Sequence, residues 1–252
     1  MDIRMIVTDL DGTLLHENKT VSLHTVSVLK KCREKGIKVA YATGRGASAD
    51  TLTLPVIFDG RVYVNGALAY AGEEKVYSKL IPIALVRDML IAAYDAGICI
   101  AAESGGRHYA NFDPNETWPW VGEYVKTDFR QLDIEVEKVY ALINRPEVLD
   151  LMQEYLPDGL YLCSARDHVA MVMHEEARKA KAVAALAAYW GIPCENVVAF
   201  GDDVNDLDLL EYCGWAVVMG NGMDEAKAVA DELCRDNDED GVAQWLVAKL
   251  GL

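Results

Sequence analysis

Residues 3–8 (IRMIVT) form a short apolar run that stops at Asp9. Such a run has apolar residues on both faces, which suits a central parallel strand covered by helices on each side. Leu23, Val26, Leu29 and Cys32 recur at three-residue spacing, and Gly36 ends that helix pattern. A second strand, 37–42, runs into Thr43-Gly44-Arg45. Strand, helix, strand is the unit of a parallel sheet. Asn65-Gly66 signals a turn, and the stretch from there to Pro82 reads as irregular. The C-terminal third repeats the alternation. Val183, Leu186, Ala187 and Trp190 mark a helix face that Gly191-Ile192-Pro193 closes. VVAF (197–200) is a strand that stops at Gly201-Asp202-Asp203. A helix at 205–213, a strand WAVV (215–218) and helices near 224–230 and 242–250 follow.

The middle third has a different rhythm. A helix near 84–96 precedes the strand-like segments 98–102 and 107–110. Strand 138–144, helix 146–155 and strands 160–163 and 168–173 come after a looser stretch holding Trp118 and Trp120. Strands in adjacent pairs point to an antiparallel sheet with helices. The expected fold is therefore α/β: a doubly wound, Rossmann-like parallel core (1–81 and 178–252) with an inserted α+β cap domain (82–177).

Composition narrows the functions open to the chain. Its 252 residues are 52% hydrophobic and 25% charged, globular proportions, and the net charge is −16. That balance argues against non-specific nucleic-acid or anionic-membrane binding, which needs positive surface. It leaves room for a small phosphorylated substrate, because local fields can oppose net charge. No apolar run approaches the ~20 residues of a membrane span, and the N-terminus lacks the pattern of a signal peptide. The six cysteines are scattered with no CxxC pair, which reads as reduced thiols in a cytoplasmic protein.

Three predicted parallel strands end in polar chemistry: Asp9-Leu10-Asp11-Gly12-Thr13, Thr43-Gly44-Arg45 and Gly201-Asp202-Asp203-Val204-Asn205-Asp206. In open α/β sheets ligands bind outside the carboxyl ends of the strands. Acids crowded there repel one another, and a hard divalent cation such as Mg²⁺ removes the conflict. The pattern suggests metal-assisted phosphoryl chemistry. An EF-hand is excluded because the glycine of DLDGTL comes fourth rather than sixth, and no P-loop sequence occurs.

The motifs together resemble the haloacid dehalogenase-like hydrolase superfamily, in its Cof-type branch of sugar-phosphate phosphatases. DLDGTL resembles the nucleophile motif and ATGR (42–45) the second motif. VNGA (64–67) resembles an Asn-Gly element of the branch, and GDDVNDLDLL (201–210) its GDxxND motif. VVMGNG (217–222) and DNDEDGVA (236–243) resemble the C-terminal signature. The resemblance implies that Asp9 is the nucleophile, forming an aspartyl phosphate, and that Asp11 is the general acid and then the base. It implies Mg²⁺ held by Asp9, the backbone carbonyl of Asp11, and Asp202. Phosphate would be bound by Thr43, Gly44, Asn205, the backbone N–H groups at Leu10 and Asp11, and a lysine. Asp206 would support the metal and phosphate shell. The lysine aligns best with Lys179, with Lys181 as its rival, and Ala180 stands where the family usually has glycine.

Two related chemistries share these features. A phosphotransferase of the phosphomannomutase type would pass the phosphoryl group to a second hydroxyl. A receiver-like signalling module would keep it, though such modules are about half this length and lack an equivalent of Asp11. The remaining polar residues read as ordinary. His16 follows the first motif closely enough to lie near the site. Arg45 touches phosphate or forms a structural ion pair. Asp236, Asp238, Glu239 and Asp240 read as a solvated acidic loop, and Trp118 and Trp120 as aromatic core.

Overall fold

The computed structural model describes residues 2–53, 58–119, 121–165 and 168–252. Strand β1 (Met5–Thr8) is buried along its whole length. Helix α1 (Leu23–Glu34) starts where Ser22 accepts a hydrogen bond from the Thr25 N–H, and Lys31 and Arg33 meet the negative end of its dipole. Strand β2 (Lys38–Ala42), helix α2 (Ala49–Thr53) and strand β3 (Gly60–Tyr63) follow. The next stretch, expected to be irregular, is a hairpin of β4 (Leu68–Ala71) and β5 (Glu74–Ser78) added antiparallel to β3. Its inward residues on β4 are Ala69 and Ala71, too small to register as an apolar stripe. Gly72, at φ 58°, makes the turn.

Lys79–Ala177 is a compact unit of its own. It runs through β6 (Ile81–Pro82), α3 (Ile83–Asp95), β7 (Ile100–Ser104), β8 (Arg107–Ala110), β9 (Tyr124–Lys126), β10 (Glu135–Val136), β11 (Lys138–Leu142), α4 (Glu147–Glu154), β12 (Leu160–Ala165) and β13 (Val169–His174). Six strands form one sheet in the order β12-β13-β11-β7-β8-β9, antiparallel except between β8 and β9, while β6 and β10 make a separate pair. One face packs Val139, Ala141 and Val172 against Val86, Met89 and Leu90 of α3 and Val148 and Met152 of α4. The other face carries Trp118 edge-on to Tyr140, whose hydroxyl shares a 2.8 Å hydrogen bond with His108 Nδ1. Trp120 lies outside the described residues.

The chain then completes the first unit, Met1–Ser78 with Arg178–Leu252. Its elements are α5 (Lys179–Tyr189), β14 (Val197–Gly201), α6 (Leu207–Tyr212), β15 (Trp215–Val218), α7 (Asp224–Ala228), β16 (Glu232–Leu233) and α8 (Gly241–Leu250). The eight-stranded sheet has the order β16-β15-β14-β1-β2-β3-β4-β5 and is parallel from β16 to β3. The helix expected over 205–213 is split. A tight turn at Val204–Asp206 precedes α6, because Asp206 folds its side chain back onto the Asp202 and Asp203 N–H groups. With β1 central between β14 and β2, their carboxyl ends put Asp9, Thr43 and Asp202 side by side.

Candidate active site

Asp9 follows β1 directly, and its N–H donates to the Phe200 carbonyl at 2.9 Å, so the strand pairing fixes its backbone. Asp202 follows β14, and Asp206 closes the turn beyond it. Asp9, Asp202 and Asp206 are all buried, and one carboxylate oxygen of each lies within 4.8 Å of the others. Lys179, the first residue of α5, reaches into this group. Its Nζ stands 2.6 Å from Asp9 Oδ1 and 2.6 Å from Asp206 Oδ1, and the residue is only 1% exposed. Lys181 is exposed on the same helix.

Burial pushes the Asp9 carboxyl well above its ordinary pKa against the pull of Lys179, and the Asp206 and Asp202 charges push the same way as burial. Burial works against the Lys179 charge too, but Asp206 and Asp9 outweigh it and hold the ammonium above its ordinary pKa. Three buried carboxylates against one ammonium leave uncompensated negative charge. An all-oxygen donor set whose members lie within 4.8 Å of one another, with this excess of negative charge, suits a hard divalent cation such as Mg²⁺. Asp206, expected to support the shell, lies beside Asp9 and Asp202 with Oδ1 on Lys179 and Oδ2 on the Asp202 and Asp203 N–H groups.

Asp202 is held from several sides. Its Oδ1 accepts from Thr13 Oγ1 at 2.9 Å, its N–H donates to Asp206 Oδ2 at 3.1 Å, and its carbonyl accepts from the Met223 N–H at 2.8 Å. Gly12, at φ 80°, passes so close that a Cβ there would sit 2.5 Å from Asp202 Oδ2. Gly201 is equally constrained, because a Cβ would meet that of Asp206 at 2.7 Å.

The Asp11 side chain lies outside the three-carboxylate group. Arg45 binds it twice, from Nε to Oδ2 and from Nη2 to Oδ1, and Lys19 Nζ stands 2.9 Å from Oδ1. Partial burial would raise the Asp11 carboxyl, but Arg45 and Lys19 hold it below its ordinary pKa. Arg45, left between two roles by the sequence, forms an ion pair. Lys19 carried no sequence signal. It reaches Asp11 because residues 16–20 fold back on themselves, with His16 N–H donating to the Thr20 carbonyl and Lys19 at φ 63°.

The expected phosphate ligands are arranged around the same strand ends. Leu10 buries its side chain in the core, which leaves only its backbone for a ligand. Thr43 is buried, its Oγ1 accepting from the Arg45 N–H at 3.1 Å. Gly44 lies beside Asn65, and Asn205 Nδ2 donates to Asn65 Oδ1 at 3.2 Å. The acidic loop 236–240 is only partly the solvated segment expected. Asp240 accepts from Thr25 Oγ1 at 2.9 Å and lies 3.0 Å from His16 Nε2, and the Asp238 carboxylate accepts from the Glu17 N–H. Asn237 and Asn221 donate to the Leu15 and Gly12 carbonyls. The C-terminal signature thus grips the segment that follows Asp11.

Residues 6–246 match the haloacid dehalogenase-like hydrolase family. The chain belongs to that family. Its motifs place it in the Cof-type branch. It is 28% identical over 265 residues to the 5-amino-6-(5-phospho-D-ribitylamino)uracil phosphatase YitU of Bacillus subtilis, covering 96% of each chain. It is 29% identical to a putative phosphatase of Haemophilus influenzae, covering 99% of both. A haloacid dehalogenase-like hydrolase from Bacteroides thetaiotaomicron shares its fold with a TM-score of 0.87 at 23% identity, over 98% of this chain and 99% of that one. Among the described residues no helix is long and apolar enough to cross a membrane.

Proposed function

We propose that this phosphatase hydrolyses small phosphorylated metabolites, sugar phosphates and related polyol phosphates first among them, through a phosphoryl group carried on Asp9. The observation that carries the reading is the buried group of Asp9, Asp202 and Asp206 with Lys179 bridging two of its members. Asp9 attacks phosphorus and the bond from phosphorus to the ester oxygen breaks, while Asp11, released from Arg45 and Lys19 and protonated in the substrate complex, gives that oxygen its proton. Asp11 then takes a proton from water as the water attacks phosphorus, and the bond to Asp9 breaks to release inorganic phosphate. Lys179 holds the Asp9 carboxylate in place and adds positive charge where the phosphoryl oxygens gather. The Thr43 hydroxyl, the Gly44 backbone and the Asn205 amide orient those oxygens. Asp9 and Asp202, with the Asp11 carbonyl, would hold Mg²⁺, which would supply charge neutralisation for the transferring group, and Asp206 would support them through Lys179 and the Asp202 N–H. The name of one relative, a phosphatase of 5-amino-6-(5-phospho-D-ribitylamino)uracil, supports the substrate class.

The test is hydrolysis of p-nitrophenyl phosphate with Mg²⁺. Asp9→Asn should abolish it, and near-normal turnover would remove Asp9 as nucleophile. Release of inorganic phosphate from a hexose phosphate separates hydrolysis from a mutase. A sugar bisphosphate requirement without phosphate release would overturn the hydrolase.

A further inference from the structure

The Asn-Gly element at 64–67 has no part in the chemistry just described, yet it touches three of the segments that carry it. Val64, Asn65 and Gly66 form one tight turn after β3, with φ values of 48°, 49° and 97°. Three successive residues on the left-handed side are unfavourable, above all for a β-branched valine. The contacts that hold the turn there are specific. The Val64 N–H donates to the Arg45 carbonyl and the Asn65 N–H to the Thr43 carbonyl, both at 2.9 Å. The turn is therefore hooked onto the Thr43-Gly44-Arg45 loop from both ends.

The Asn65 side chain, 9% exposed, adds a second link. Its Oδ1 accepts from Asn205 Nδ2 at 3.2 Å, and a Cβ on Gly44 would come within 3.1 Å of the same oxygen. One amide thus sits between the loop after β2 and the turn after β14. Gly66 makes the third link. A Cβ there would fall 2.2 Å from the Arg178 carbonyl, which accepts the Ala182 N–H at the start of α5. That backbone contact sets the height of the helix whose first residue is Lys179.

We propose that Asn65 is a positioning residue for the phosphoryl group. Its amide holds Asn205 and the Gly44 backbone at a fixed separation, and its turn holds the entry of α5. This rests on the phosphatase reading above. The alternative is a turn that only stabilises the fold. The two differ in what the amide does, because glycine adopts the left-handed conformation without strain and lacks the amide.

The experiment is a double-mutant cycle on Asn65→Gly and Asn205→Ala, read by inhibition of p-nitrophenyl phosphate hydrolysis by inorganic phosphate and by KM against kcat. Asn65→Gly should raise the inhibition constant and KM about tenfold, with the melting temperature within a few degrees of the parent. The double variant should lose less than the product of the two single losses, because both remove the Asn65–Asn205 link. Asn65→Gly with phosphate inhibition within twofold of the parent, or losses that multiply in the double variant, would overturn the proposal. Should Asn65→Gly fail to fold, Gly44→Ala tests the same linkage by wedging a methyl against Asn65 Oδ1. Unchanged phosphate inhibition there would be equally fatal. A parent protein that does not hydrolyse p-nitrophenyl phosphate would instead refute the phosphatase reading.

Discussion

Arg45 holds the carboxylate of Asp11 through two hydrogen bonds, 2.5 Å from Nε and 2.7 Å from Nη2. The pair sets the resting position of the proposed acid and base, from which Asp11 swings to the leaving group. Arg45→Ala should lower kcat/KM for an alkyl phosphate about 10- to 100-fold, within the range of acid–base catalysis. p-Nitrophenyl phosphate should lose about threefold at most, since its leaving group needs little protonation. Equal losses on the two substrates would place Arg45 on the phosphoryl group rather than on Asp11.

Lys179 is the cation that sits among the buried carboxylates. Lys179→Met should abolish activity and cost about 3–5 kcal/mol of stability at neutral pH, the penalty for leaving buried charge unpaired. Asp9 is already pushed upward in pKa, so acidification supplies a proton where the ammonium was lost. The stability gap between variant and parent should narrow as the pH is lowered from 7 to 5. A gap that widens would contradict the arrangement. Urea denaturation at each pH measures it.

Gly12 leaves no space for a side chain beside Asp202. Gly12→Ala should cost about 1–2 kcal/mol from its positive φ alone and displace the Asp202 carboxylate. The parent should gain thermal stability on addition of Mg²⁺, and the variant should need a much higher concentration for the same gain. Identical Mg²⁺ titrations by thermal shift would show that Asp202 is not a ligand.

Asp59 ties α1, β2 and β3 together. It accepts from Arg33 Nε and Nη2 and from the Val39 N–H, each at 3.0 Å. Partial burial would raise its carboxyl, but Arg33 and the Val39 N–H hold it below its ordinary pKa. A carboxyl depressed in the folded state contributes fully above its unfolded pKa of about 3.9 and loses that contribution as pH falls through the folded value. Asp59→Asn should cost about 1–2 kcal/mol at pH 7, and its difference from the parent should shrink below pH 4. A difference that stays constant down to pH 3 would be inconsistent with the ion pair.

The alternation of the parallel core was readable because its strands are buried on both faces and stop abruptly at acids. β1 and β14 show both features. The β4–β5 hairpin was not, because its buried positions are alanines and its outer strand is mostly Glu, Lys and Ser on an exposed edge. Asp9, Thr43 and Asp202 could be picked out as strand-end residues. Lys179 could be found only by aligning a family pattern, since a buried lysine and a solvated one look alike in sequence. The pairings of Asp11 with Arg45 and Lys19, and of Asn65 with Asn205, depend on how distant loops fold back, which no periodicity encodes.

The pairing of β1 with β14 joins Met5 to Val197 across the whole inserted unit. The centre of the catalytic sheet therefore cannot close until most of the polypeptide has left the ribosome, whereas Lys79–Ala177 is contiguous and can collapse earlier. Until β14 arrives, the edge of β1 is an open template for strand pairing with other chains. That connectivity should make refolding slow and its yield fall with concentration.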